Sequence, residues 1–275
     1  MIPAHSGHAA AAHHASMFDG VLPLALVAAV GVAYLVLAWL RSREDRGWSG
    51  RRTVSFLGGA LVLALGLTPQ LLPLPPEGLP VHMVQHLLIG MYAPLGLVLG
   101  APVTLLLRSV PHRYGKKIGK LLRSRPLHLV ANPATALLLT LGGLAALYFT
   151  PLYSLATGNP LLHHAIHLHF LAAGYLFAWV IAGPDPAPRR PSVPMRLVVL
   201  GVAIAGHAVL SQLLYAGLFT PIPAPSGELR LAGELMYYGG DVAGLLLAFA
   251  LVTTWRPVRK PASSSPKAST AVVIN

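Results

Sequence analysis

The sequence predicts an all-α polytopic membrane protein with seven transmembrane helices, its N-terminus outside and its C-terminus in the cytoplasm. Three observations carry that prediction. Hydrophobic residues make up 55% of the 275, and charged residues only 10%, against about a quarter in ordinary soluble domains. The apolar residues collect in seven runs long enough to cross a hydrocarbon core of about 30 Å, which takes about 20 helical residues. All but one of the 20 Lys and Arg residues fall in segments on one side of those runs, as the positive-inside bias requires.

In order, the runs are Val21–Leu40, Thr53–Leu72, Pro80–Leu107, Pro126–Phe149, Leu161–Ala182, Arg196–Gly217 and Glu234–Trp255. None alternates with the two-residue period of a membrane barrel. Backbone polar groups in lipid must pair within their own segment, so the runs are expected to be helices. The basic residues cluster at 41–52, 108–125, 189–196 and 256–267, while Arg230 alone lies on the other side. Odd span number and charge bias agree on the orientation. Residues 1–20 form a His-rich outer tail without the basic start of a cleaved signal peptide, so the first helix is expected to persist as a signal anchor. Residues 21–255 make the transmembrane domain. Residues 256–275, rich in Ser, Lys and Pro, read as a disordered cytoplasmic tail.

The same composition excludes several functions. There is no cysteine, which removes disulfides, thiolate nucleophiles, iron–sulfur ligation and Cys-type metal sites. A net charge of +12 would suggest nucleic acid, but the cations mark topology instead. The sequence lacks a P-loop, a dinucleotide fingerprint, an HExxH motif and a serine elbow. An enzyme is not expected.

Ionisable residues inside membrane helices are costly, and each is a candidate for function. On the predicted topology, His82 and His86 open the third helix at its outer end, and His163, His164, His167 and His169 open the fifth. His207 sits near the middle of the sixth. Glu234 begins the seventh, with Asp241 about 10 Å deeper at 1.5 Å per residue. His82/His86 and His163/His167 are i,i+4 pairs, so each pair shares a helical face. Neutral imidazoles in that arrangement suit copper, zinc, iron or nickel. His169 points to a different face from His167, so one helix cannot bring all its histidines to one ion.

Alternatives stand beside these readings. Met83, Met91 and Met236 are gap-filling side chains or thioether ligands that would favour Cu(I). Asp241 is a ligand or a partner for a neighbouring His or Tyr. His163 and His164 are ligands or interfacial side chains. His112 and His128 are left outside the site. Pro94 and Pro133 can kink their helices and open room, or serve close contact.

Four segments carry a family resemblance: HMVQHLLIGMYAPLGLVLGAP (His82–Pro102), HLHFLAAGYLFAWVIAGPDP (His167–Pro186), GHAVLS (Gly206–Ser211) and LAGELMYYGGDVAGLLLAFAL (Leu231–Leu251). Together they resemble the CtaG family, the seven-span assembly factors of caa-type cytochrome c oxidases, over roughly Val21 to Trp255. HxxxH in the third helix and HxH followed by GxxPxP form the specific combination. The resemblance implies a bacterial plasma-membrane protein that matures the haem–copper oxidase through copper, with oxidase subunits and membrane lipid as partners. It implies functional positions at His82, His86, His167, His169, His207 and Asp241; the family often carries Glu where this chain has Asp241. The expected metal set is therefore His82, His86, His163, His167, His169, His207 and Asp241, with Met83 and Met236. Haem held between facing histidines, or a copper or proton transporter, is the rival. Below His207 the helices are almost wholly apolar, which argues against a through-path.

Overall fold

The computed structural model describes residues 6–75, 78–187 and 190–254, all helix and connection with no strand among them. The predicted tail 256–275 lies outside the described residues, as does His5. Helix α1 (Ser6–Ser42) begins inside the predicted outer tail. Its lipid-length portion, Val21–Ser42, keeps Leu22, Leu26, Val32 and Trp39 exposed. Such a helix is apolar nearly all round because most of its neighbours are meant to be lipid. Only one edge is covered. There Tyr34 stacks on Phe56 of α2 (Gly50–Gly66), ring centroids 3.8 Å apart, and donates to the Gly100 carbonyl at 2.7 Å.

The third predicted span is interrupted twice. α3 (Leu79–Leu87) runs through a widened turn at Leu88–Tyr92 into α4 (Ala93–Leu99). The widening has a local cause: the ring of Pro94 displaces the carbonyl four residues back, that of Gly90. That carbonyl faces Gly174, where a Cβ would collide with it. The chain then leaves helical geometry at Ala101, φ +52°, ahead of Pro102. A new helix, α5 (Pro102–Ser109), starts there rather than continuing to Leu107. Its first turn is held by the buried Asp185 carboxylate, which accepts from Val103 N at 3.0 Å, Thr104 N at 2.7 Å and Thr104 Oγ1 at 2.5 Å.

After α6 (His112–Leu122) and α7 (Arg125–Val130), the fourth predicted span is likewise shorter than expected. Asn132 caps Ala134 N at 2.9 Å and Pro133 takes the first helical position, so α8 runs only from Pro133 to Phe149. α9 (Leu152–Thr157) is one short turn of connection, and α10 (Pro160–Ala182) and α11 (Val193–Tyr215) follow as full-length helices. α12 (Ser226–Thr254) starts two turns before the predicted Glu234, so Arg230 lies within it.

Among the described residues, five stretches are long and apolar enough to cross a membrane: Val21–Ser42, Leu79–Leu99, Pro160–Ala182, Val193–Tyr215 and Ser226–Thr254. α8 is apolar but has 17 residues, as does α2. α10 lies at the centre of the bundle, against α3–α4, α8, α11 and α12. Its lower half packs Phe177, Trp179 and Ile181 on Leu200 and Leu251. Its upper half packs Ile166 and Phe170 with Leu79, Met83, Tyr148, Leu214 and Met236.

Candidate metal centre

Two helix starts meet at the upper end of the bundle. α3 begins after Gly78, whose φ of +105° suits a residue without a Cβ, and Glu228 of α12 accepts from Leu79 N at 3.3 Å. One turn on, His82 points toward α10. α10 begins with Asn159 capping Leu162 N at 3.1 Å, which sets His163 and His167 on the face toward α3. The ring centroids are 4.3 Å apart for His163–His167, 6.0 Å for His82–His163 and 6.2 Å for His82–His167.

Each of the three imidazoles offers a nitrogen, and these atoms all lie within 4.8 Å of one another. His82 and His167 are buried, while His163 is half-buried and forms the open side. Nε2 of His82 and Nε2 of His167 are buried without a hydrogen-bond partner. An unpaired buried polar atom is expensive, and ligation of an ion at an imidazole distance of about 2.0–2.1 Å would satisfy both nitrogens. The donor set is neutral and nitrogen-only, so it fits a soft or borderline ion such as copper or zinc.

Two tyrosines wall the site. Tyr153 of α9 meets His82 edge-on at 5.1 Å, and Tyr148 of α8 lies 6.2 Å from both His82 and His86. Burial, and secondarily the Glu228 charge, holds the Tyr153 phenol above its usual range, so it stays neutral. Tyr148 donates to the Met83 sulfur at 3.7 Å.

The other expected residues scatter. His86 is one turn deeper than His82, 4% exposed, against Phe170 at 4.4 Å, with both ring nitrogens unpartnered. His207 on α11 is 5% exposed, lies over Gly240, and has an unpartnered Nε2. Neither belongs to the three-histidine group. His169 also lies outside the three-histidine group. Two residues past His167, it faces the other side of α10, where it is exposed and its Nε2 lies 3.3 Å from the Leu139 carbonyl. Met83 and Met236 are core side chains, fully enclosed with Leu79, Tyr148 and Leu214. Asp241 is half-buried and outside the group.

Residue-level reading missed Tyr148, Tyr153 and Glu228, which carry no spacing signal, and Asp185. Asp185 does have a signal: an acid between two prolines at the end of a membrane helix, in the run GPDP.

Comparison with known proteins adds a family. The model for the cytochrome c oxidase caa3 assembly factor, Caa3_CtaG, matches residues 32–257. The uncharacterised protein Mb0105 of Mycobacterium bovis is 31% identical over 90% of this chain and 40% of its own length, and MT0111 of Mycobacterium tuberculosis matches to the same extent. ML1998 of Mycobacterium leprae is 26% identical over 86% of this chain and 39% of its own. The chain thus spans about two fifths of the relatives it matches. No solved structure matches it. With the family model covering most of its length, the chain belongs to the Caa3_CtaG family.

Proposed function

We propose that this member of the caa3 assembly-factor family binds copper(I) at His82, His163 and His167 and hands it to a subunit of cytochrome c oxidase. The observation that carries the reading is the convergence of three imidazoles from two helices, two of them with buried nitrogens that have no partner. In a chain without cysteine, such a site holds the ion through exchangeable neutral ligands. The open side at His163 gives the ion a way in and out. Bound copper supplies cargo, and no turnover is involved. Asp241 offsets charge from outside the ligand set, and the chain acts as a chaperone rather than an enzyme.

The haem reading is less well supported. A macrocycle between His82 and His167 would have to pass through the space of the His163 ring, 4.3 Å from His167. A through-membrane transporter is disfavoured by Leu95, Leu200, Ile204 and Leu247, which line the interior below His207.

The setting follows from the same reading. Seven spans cross a bacterial plasma membrane, with α2 and α8 each reaching about 25 Å at 1.5 Å per residue. Residues 1–20 lie outside and 256–275 in the cytoplasm. α6 supports that orientation: Arg113, Lys116, Lys117 and Lys120 share one face, and Tyr114, Ile118 and Leu121 another. Tyr114 and Leu121 are exposed, as suits a helix lying on an anionic inner leaflet.

The test is a strain that lacks the chain, complemented with wild type or with His163→Ala/His167→Ala. Wild type restores copper content and activity of the caa3-type oxidase, and the variant does not, at equal amounts in the membrane. Equal restoration by both removes the three histidines from the function.

A further inference from the structure

The three-histidine group leaves two imidazoles with unpartnered nitrogens unexplained, those of His86 and His207. Below the group, a cavity of about 50 Å³ sits between the widened turn of Leu88–Tyr92 and helices α8, α10, α11 and α12. A single water needs about 10–15 Å³ on this measure, so the space is large enough for an ion or a few waters.

Its lining is apolar except for three side chains: His207, Met91 and Thr140. Thr140 spends its hydroxyl on the Ala136 carbonyl at 2.9 Å. His207 keeps a buried Nε2 with no hydrogen-bond partner among the described residues. Its ring is fixed in place because Gly240 leaves room for it; a Cβ there would collide. Met91 reaches the lining from the widened turn, the irregularity that Pro94 imposes. His86 stands between this cavity and the histidine group. Its ring lies 3.4 Å from where a Cβ on Gly90 would be, and Gly90 is itself part of the cavity wall.

We propose that His207 and Met91 form a second Cu(I) position inside the bundle, separate from the three-histidine site and reached from it past His86. The donor chemistry selects the ion. One imidazole and one thioether make a soft pair with no carboxylate, which suits Cu(I) and is poor for zinc, magnesium or calcium. Transfer between the positions is exchange of one neutral ligand for another, with no change in oxidation state. The identity of the ion rests on the function proposed above, while the position rests on the cavity.

The experiment is anaerobic titration of the detergent-purified protein with Cu(I) against a chromophoric chelator, joined to X-ray absorption of the bound copper. Wild type is expected to bind two equivalents and to show sulfur among the scatterers. Met91→Leu, which nearly preserves volume, and His207→Ala each bind one equivalent, with nitrogen scatterers only. His163→Ala/His167→Ala keeps one equivalent, and that one contains sulfur. Two equivalents with unchanged sulfur in Met91→Leu overturn the proposal, as does a wild type that binds one sulfur-free equivalent. Wild type binding one sulfur-containing equivalent, indifferent to His163→Ala/His167→Ala and lost in Met91→Leu, upholds the inner position and overturns the three-histidine reading instead.

Discussion

His82 of α3 and His167 of α10 lie with ring centroids 6.2 Å apart and planes within 23° of parallel. Among the described residues nothing bonds to the Nε2 of either. Two buried imidazoles held side by side, each with a nitrogen left over, are costly unless something binds them. Their second neighbour, His163, lies at the open edge and completes a three-nitrogen set.

The tyrosine wall gives a sharp control. Tyr153 touches His82 through its ring edge, and its phenol stays protonated well past neutrality because burial and the Glu228 charge oppose ionisation. Tyr153→Phe therefore keeps Cu(I) affinity within about twofold, the range of a substitution that removes no ligand. A tenfold loss in competition titration would put the hydroxyl in the site.

Neighbouring glycines in α2 are expected to differ. A Cβ on Gly59 would come within 2.5 Å of Leu97 N and 2.8 Å of the Ala93 carbonyl, while one on Gly58 meets nothing within 4 Å. Close backbone approach of this kind is how membrane helices pack without a hydrophobic drive between them. Gly59→Ala should cost about 1–3 kcal/mol, the range for overpacking, and lower the melting temperature in detergent. Gly58→Ala should leave it unchanged. Equal melting temperatures would contradict the contact between α2 and α4.

The cysteine-free chain suits single-cysteine mapping of the membrane crossing. In intact cells an impermeant maleimide is expected to label Gln70→Cys and Thr157→Cys, both exposed, and to spare Asp45→Cys and Lys117→Cys until the membrane is opened. Labelling of Asp45→Cys from outside would remove α2 from the spans.

The all-helical character of the fold and the grouping of His82, His163 and His167 could be read in the sequence for one reason: lipid imposes strong rules. Long apolar runs marked the helices, and the i,i+4 spacing of His163 and His167 was enough to place two imidazoles on one face. His169 was rightly set on another face by the same geometry, although the family resemblance included it. Span ends were less legible. Pro102 and the Asn132–Pro133 pair were helix-start signals inside runs that looked continuous, and they split the third and fourth predicted spans. Pairing across helices left no trace in spacing. Tyr148 and Tyr153 reach the histidines only because α8 and α9 fold over α3, and His207 lands in the cavity rather than with His82 because of how α11 meets Gly240 of α12.

The most direct measurement is the copper(I) stoichiometry and coordination of the purified protein beside His163→Ala/His167→Ala. The account predicts that the variant lacks one equivalent, the one ligated by nitrogen alone, and that its affinity at that position falls by more than about 100-fold, beyond what loss of an outer-shell partner costs. Unchanged copper, with unchanged affinity and ligation, would contradict a metal site at His82, His163 and His167.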